Sequence, residues 1–215
     1  GHKKRELIGP FYRAGHTYST DTIQVYDHDW PHLAEGIAIP HGLYDLQQNK
    51  GYVQLGTSRD TSEFACDSIY HWWTQHGVND YPTATSILLL CDAGGSNSAR
   101  HYIFKEDLQR LANDLGIEIR IAHYPPYTSK YNPIEHRLFA QISRTCRGAI
   151  LESIETFSDL IAQTSTKTGL SVITTIIDAV YETGRKASDA FRAQMPICFD
   201  DYLPQWNYVA QPQQT

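Results

Sequence analysis

The feature that most constrains the fold is a continuous apolar run at residues 86–91 that ends abruptly in Asp92-Ala93-Gly94-Gly95. Such a run, bounded by turn residues, is typical of a strand buried on both faces inside an α/β sheet. We therefore predict that it forms the centre of the sheet. Because open α/β sheets bind ligands at the carboxyl ends of their strands, Asp92 is a candidate functional residue. A turn aspartate before glycine explains the same residue equally well.

The pattern on either side predicts an α/β domain with a mixed sheet. Two strand-like runs flank a turn sequence, helical spacing alternates with further strands, and Asn132-Pro133 supplies an N-cap and a first-turn proline for a strong helix. The predicted strands are residues 37–46, 51–56, 86–91 and 117–121, and the predicted helices are 61–77, 99–115, the segment from 132, 152–164 and 171–193. We predict an α/β domain at residues 1–150 and a helical extension at 151–215 with a disordered tail from Gln211.

Composition excludes several classes of protein. At 215 residues, with 41% hydrophobic and 20% charged residues, the chain has the composition of a packed globular protein. Its longest apolar run is too short for a spanning helix and its charged start is unlike a signal peptide, so no membrane partner is expected. The four cysteines form no C-x-x-C pair, which argues against a zinc ribbon or redox motif.

A second candidate carboxylate, Glu135, falls in the first turn of the helix that begins after Asn132. Asn132-x-x-Glu135 also fits a capping box, in which the glutamate only returns a hydrogen bond to the backbone. Taken with Asp92, however, it suggests a pair of acidic ligands on different elements. Two such carboxylates can share divalent cations, which suits phosphoryl transfer on a phosphodiester.

The charge distribution supports a nucleic-acid partner although the net charge is −6. Residues 100–147 carry eight basic and five acidic side chains interleaved with tyrosines, a pattern suited to tracking a phosphate backbone. Solvated helix faces are the alternative explanation for most of these charges. His123 and His136 are candidates for orienting a carboxylate or phosphate, with a structural hydrogen bond as the simpler role.

The chain resembles the DDE transposases of bacterial insertion sequences, and most clearly the ISAzo13-like group. The segments that carry the resemblance are 3–9 (KKRELIG), 39–46 (IPHGLYDL), 91–97 (CDAGGSN) and 123–139 (HYPPYTSKYNPIEHRLF). The resemblance implies an RNase H-like, retroviral-integrase-like fold with a mixed five-stranded sheet flanked by helices. It also implies three acidic residues that bind two Mg²⁺ or Mn²⁺ ions, and attack on DNA phosphodiesters by water and then by a 3′-hydroxyl.

Asp92 matches the second aspartate of this family and Glu135 its final glutamate. The other residues that the resemblance and the charge pattern select are the DNA-contact candidates Lys130, Asn132, Arg137 and Arg100, and the supporting candidates Asn97, His136 and Asp45. The family's first aspartate precedes the Lys-Lys run, where this sequence has Gly1-His2. We therefore expect the chain to begin just after that position and to be a defective catalyst, with Asp45 as a weak substitute ligand.

The sequence thus predicts a transposase catalytic domain for Mg²⁺-dependent strand cleavage and strand transfer. Two alternatives stay open: a non-catalytic DNA-binding or oligomerisation remnant of a transposase, and an RNase H-like nuclease that cuts RNA in a hybrid. The expected partners are the DNA of the insertion-sequence ends and of the target, with homo-oligomer formation left open. The expected location is the bacterial cytoplasm, in association with the nucleoid.

Overall fold

The computed structural model describes residue 1, residues 3–94 and residues 101–213. The strands are β1 (Glu6–Ile8), β2 (Gly36–Asp45), β3 (Lys50–Gly56), β4 (Ser86–Asp92), β5 (Glu118–Tyr124), β6 (Ser171–Ile177), β7 (Cys198–Phe199) and β8 (Asn207–Ala210). The α-helices are α1 (Ser62–Trp72), α2 (Val78–Asp80), α3 (Tyr102–Leu115), α4 (Ala140–Thr145), α5 (Ile154–Ala162) and α6 (Asp189–Gln194). Two π-helical segments, Trp73–Gly77 and Glu135–Phe139, and two 3₁₀ turns, Pro31–Leu33 and Ser129–Tyr131, complete the elements.

The chain forms two compact units that interleave along the sequence. The first unit comprises Arg59–Asn132 and Tyr181–Thr215 together with Gly1, and the second comprises His2–Ser58 and Pro133–Val180. Both units therefore draw on residues before and after position 150. The α/β class is confirmed, but the described strands form two sheets of four strands each. The five-stranded sheet implied by the resemblance is not among them.

The second unit contains the sheet β1-β2-β3-β6. The hairpin predicted from the turn sequence is confirmed: β2 and β3 pair antiparallel with Asp45 opposite Lys50. Helix α5 packs on β6, and the apolar side chains of β3 and the 133–161 region form one buried cluster. Gly42 and Gly51 lie beneath Phe139 and Leu138, so this sheet and the helical segment after Pro133 approach each other at glycines.

The predicted helix at residues 171–193 is wrong for its first part. Residues Ser171–Ile177 form β6, which pairs parallel with β3, and only Asp189–Gln194 are helical. Six consecutive β-branched residues, from Val172 to Ile177, occupy this strand. Such residues lose rotamer freedom in helices and pack well on a pleated surface, so local preference agrees with the strand.

The first unit contains the sheet β4-β5-β8-β7, in which β4 and β5 are parallel and β8 is antiparallel to β5. Helix α1 begins after Thr61, whose side chain accepts a hydrogen bond from the Phe64 N–H, as expected of an N-cap. Helix α3 ends at Gly116, which adopts a left-handed conformation with φ of 64°. The helical extension predicted after residue 150 therefore also supplies two strands, β7 and β8, to this sheet.

The predicted central position of residues 86–91 is also wrong. Among the described strands β4 lies at the end of its sheet, with β5 as its partner, and Leu88 is 62% exposed. A short apolar run indicates a strand but does not by itself distinguish a central strand from an edge strand. The strand itself and its end at Asp92 are as predicted.

The C-terminal part of the first unit is joined to α1 and α3 by a buried ion-pair network. Arg185 donates to both carboxylate oxygens of Asp107, at 3.0 and 3.3 Å, and to Glu63 at 3.1 Å. Tyr181 donates to Asp67 at 2.9 Å, and this bond together with burial raises the pKa of its hydroxyl. The last described residues are also held, because the Gln211 carbonyl accepts from the Gln109 amide at 2.6 Å.

No helix in the described part of the chain has the length and apolar content needed to cross a membrane.

Candidate active site

Asp92 is the last residue of β4, beside Tyr124 at the carboxyl end of β5. It is half-buried, and two neighbours in the first unit hold it. The side-chain amide of Asn132 donates to its carboxylate Oδ1 at 3.2 Å. His123 Nδ1 lies 3.2 Å from its backbone carbonyl. Asp92 is thus fixed both at its main chain and at its carboxylate.

The tautomer of the His123 ring follows from the hydrogen-bond partners of its two nitrogens. A carbonyl oxygen only accepts hydrogen bonds, so Nδ1 carries a proton and donates to Asp92. Nε2 lies 2.7 Å from the Tyr208 hydroxyl. Burial lowers the pKa of His123 to about 4, which keeps the ring neutral at pH 7. Nε2 is therefore the acceptor, and the Tyr208 hydroxyl donates to it.

Lys105 places a positive charge beside Tyr208, the residue bonded to His123. Its Nζ lies 4.8 Å from the centre of the Tyr208 ring, in the geometry of a cation–π contact. The side chain is largely buried, and this burial lowers its pKa. A cation at this place opposes protonation of His123, while Asp92 favours it. The buried position of the imidazole outweighs both charges.

The loop from β5 to Asn132 ends directly on the Asp92 carboxylate. It begins with a turn in which the Thr128 N–H donates to the Pro125 carbonyl at 3.2 Å, with Tyr127 at a φ of 65°. The 3₁₀ turn Ser129–Tyr131 follows, and the exposed Lys130 ammonium lies 5.1 Å from the centre of the Tyr131 ring. The predicted DNA-contact residue Lys130 therefore lies on a loop that the structure ties to Asp92. Asn132, also predicted to contact DNA, is buried and directed at the carboxylate instead.

Glu135 belongs to the second unit, where it is half-buried at the start of the π-helical segment. The chain is helical from Pro133, as the first-turn proline predicts. Single π turns inside helices occur frequently at functional sites, since they shift side chains from the regular α-helical positions. His136 and Arg137, which follow, are exposed.

The remaining predicted residues divide into two groups. Asp45 caps the β2–β3 turn: its Oδ1 accepts from the backbone N–H groups of Gln47 and Gln48 at 2.9 and 3.0 Å. This contact accounts for Asp45 as a turn residue at the end of β2. Asn97 and Arg100 lie outside the described residues.

One residue of the site was missed in the sequence. Tyr208 reaches His123 only because β8 pairs with β5, 85 positions away along the chain. The local signal for β8 is short, an aromatic and a β-branched residue in Asn207-Tyr208-Val209-Ala210. Nothing in that signal indicates which strand it pairs with.

The donor chemistry near Asp92 suits a hard cation. Mg²⁺ prefers oxygen ligands and is usually held by one or two carboxylates together with water and substrate phosphates. Within residues 1, 3–94 and 101–213 no three His, Cys, Asp or Glu side chains are grouped so as to hold a metal ion. Asp92 offers one carboxylate for that mode of binding.

Comparison with known proteins assigns the chain to a family. The family model described as the Rhodopirellula transposase DDE domain matches residues 1–212. Searches among curated proteins and among solved structures give no match. The match extends over nearly the whole sequence and includes both candidate carboxylates, Asp92 and Glu135. The chain therefore belongs to the family of Rhodopirellula transposase DDE domains.

Proposed function

We propose that this chain is the catalytic domain of a DDE transposase with an RNase H-like architecture. In this proposal Asp92 and Glu135 hold Mg²⁺ or Mn²⁺, and the substrate is DNA. Bound cations of this kind activate an attacking oxygen and stabilise the leaving oxygen in phosphoryl transfer. The order of elements, three antiparallel strands followed by α1, β4, α3 and β5, is consistent with that architecture.

The observation that carries the proposal is the set of hydrogen bonds that hold Asp92. A catalytic carboxylate has to be held in one geometry, because small errors in ligand position are costly in phosphoryl transfer. Asn132 fixes the carboxylate, and His123 with Tyr208 fixes the backbone behind it. A simple turn aspartate would hydrogen-bond to its own loop, as Asp45 does. Within the part of the chain that the structure describes, the hydrogen bonds of Asp92 come from β5 and from the residue that ends the β5 loop.

The protein's own residues would perform three tasks in this reaction. Asp92 and Glu135 provide oxygen ligands, and Asn132 orients one oxygen of Asp92 so that the other is available to the ion. Lys130 and Arg137, both exposed, would contact DNA phosphates. We further propose that the protein acts on DNA in the bacterial nucleoid.

Calorimetric titration with Mn²⁺ tests the metal part of the proposal. We expect weak binding that Asp92→Ala abolishes and Asn132→Ala weakens. Asp114→Ala, which removes an exposed carboxylate of α3, is the matched control and should bind as the original chain does. Equal binding by Asp92→Ala and Asp114→Ala would contradict the assignment of Asp92 as a ligand.

The reaction itself is tested with DNA carrying the insertion-sequence ends. A variant with Gly1→Asp and His2→Thr should cleave and join DNA strands with Mg²⁺ and lose this activity on Asp92→Ala. Cleavage of the RNA strand of an RNA–DNA hybrid in preference to DNA would identify a nuclease and overturn the transposase proposal.

A second candidate function is a non-catalytic DNA-binding module. The exposed side chains of Lys130 and Arg137 favour it, because contacts of lysine and arginine with phosphate need no metal ion. Salt-dependent DNA binding that is unaffected by chelators, by Mn²⁺ and by Asp92→Ala would support this function over the catalytic one.

A further inference from the structure

The loop between β5 and Asn132 contains an exposed aromatic side chain, Tyr127. Tyr127 is fully exposed, so its ring adds nothing to the packing of the first unit. Its backbone has a φ of 65°, in the left-handed region that bulky residues rarely adopt. With Pro126 before it and the Thr128-to-Pro125 hydrogen bond around it, Tyr127 occupies the position of a type II turn that normally holds glycine or asparagine. Residues with backbone strain of this kind cluster at active sites and ligand clamps.

The loop that contains Tyr127 lies next to Asp92. Asp92 and Tyr124 are paired across the β4–β5 ladder, and Tyr127 follows Tyr124 by three residues. Three residues span at most about 11 Å, so the turn begins beside the Asp92 end of β4. At the far end of the loop Asn132 is bonded to the Asp92 carboxylate. The loop is therefore anchored to the candidate site at both of its ends.

The chemistry of the loop surface fits a nucleic acid whose bases are unpaired. Tyr131 is also an exposed aromatic, and Lys130 lies over its ring at 5.1 Å. Exposed aromatic rings next to a lysine are the means by which proteins bind single strands: the rings stack on bases and the cation contacts the phosphates. Paired bases in a duplex are stacked on each other and do not present a face to such a ring.

We propose that Tyr127 stacks on an unpaired base of the DNA, with Tyr131 and Lys130 beside it, and so holds a single-stranded segment next to Asp92. This inference rests on the proposed function and adds to it the class of substrate, DNA with unpaired nucleotides at the reaction site. The strained turn places the Tyr127 ring outward, where it is fully exposed among the described residues.

The test compares two labelled DNAs by fluorescence anisotropy, a blunt duplex and the same duplex with a short unpaired tail that contains 2-aminopurine. We expect the original chain to bind the tailed DNA more tightly and to quench the 2-aminopurine. Tyr127→Gly should weaken binding of the tailed DNA about tenfold, the size of one stacking contact, and leave duplex binding unchanged. Tyr127→Phe, which keeps the ring, should bind as the original chain does.

Two controls keep the result interpretable. Tyr202→Gly removes another almost fully exposed tyrosine of the first unit and should change neither affinity. Tyr127→Gly should unfold at a higher temperature than the original chain, because glycine adopts positive φ without strain. Loss of tailed-DNA binding therefore cannot come from misfolding.

The possible results separate this proposal from the proposed function. Equal affinity of Tyr127→Gly and the original chain for the tailed DNA, with duplex binding intact, would overturn the stacking role and leave the transposase assignment standing. Absence of any DNA binding by the original chain would overturn both. Loss of tailed-DNA binding by Tyr202→Gly as strongly as by Tyr127→Gly would also overturn the specific role of Tyr127.

Discussion

The buried imidazole of His123 makes the stability of the protein depend on pH in a defined interval. In the folded chain the pKa is lowered to about 4, chiefly by burial, against an ordinary value of 6.5 in the unfolded chain. Below pH 6.5 the unfolded state therefore binds a proton that the folded state does not. This histidine lowers the free energy of unfolding as the pH falls from 6.5 to about 4, and has almost no effect above pH 7.

The size of the effect follows from these two pKa values. One pKa unit corresponds to about 1.4 kcal/mol, so the full effect is about 3 kcal/mol and is reached near pH 4. Between pH 7 and pH 5 the loss amounts to about 2 kcal/mol. The nearby groups act in both directions, since Lys105 opposes protonation and Asp92 favours it. Tyr208 adds no charge, because burial raises the pKa of its hydroxyl further above this range.

Urea unfolding at pH 7 and pH 5, followed by tryptophan fluorescence, measures this loss. His123→Gln removes the titrating group, so its free energy of unfolding should fall less over the same interval, by about 2 kcal/mol. Carboxylates titrate in both chains and cancel in the comparison. The control His32→Gln removes an exposed histidine and should give a curve parallel to that of the original chain.

A direct measurement guards against a variant that packs differently. The ¹⁵N shifts of the His123 ring should show a neutral imidazole with the proton on Nδ1 at pH 5.5. A ring that titrates near pH 6.5, or parallel pH curves for the original chain and His123→Gln, would refute the reasoning from burial.

Two further predictions concern packing within each unit. Asp107→Asn should lower the free energy of unfolding by about 3 kcal/mol, because Arg185 then loses the charge of its buried partner. The control Asp114→Asn, on the exposed side of α3, should change the free energy of unfolding by less than about 0.5 kcal/mol. Urea unfolding measures both. Gly42→Ala should cost about 1–3 kcal/mol, because the added methyl carbon would lie 2.5 Å from Phe139 Cε1, while Gly36→Ala, with nothing within 4 Å, should cost much less by the same assay. Equal stability of the two members of either pair would contradict the contact on which it rests.

Local sequence was sufficient for those parts of the fold whose signals are local. The β2–β3 hairpin, the start of α1 at Ser62, the end of α3 at Leu115 and the helix start at Pro133 each depend on a few neighbouring residues, and each lies within one residue of the predicted position. The carboxyl end of β4 at Asp92 is also a local feature, and it led to the candidate site.

The errors arose where partners are distant in the sequence. Whether β4 is central or at the edge depends on which strands pair with it, and its apolar residues do not encode that choice. The strand β6 pairs with β3, in which Lys50 lies opposite Ser171, and its β-branched residues favour a strand without indicating that partner. Tyr208 and the role of Asn132 depend on contacts between segments 85 and 40 positions apart. The strand end and the helix start indicated Asp92 and Glu135, and the family resemblance matched both to acidic positions, but neither indicated the hydrogen bonds that hold Asp92.

The interleaving of the two units has a consequence for biosynthesis. A ribosome makes the chain from residue 1 onward, so the second unit gains its last strand, β6, only when residue 177 has been made, and the first unit gains β8 later still. Until then a nascent chain has Asp92 and His123 but lacks the Tyr208 that holds the imidazole. The two segments of each unit are separated in the sequence by a segment of the other unit, so each sheet is completed by pairing between residues far apart along the chain. Such non-local pairing makes folding slow. We therefore expect the hydrogen bonds around Asp92 and His123 to form late in synthesis. We also expect that neither unit can be produced by expressing one continuous stretch of the gene.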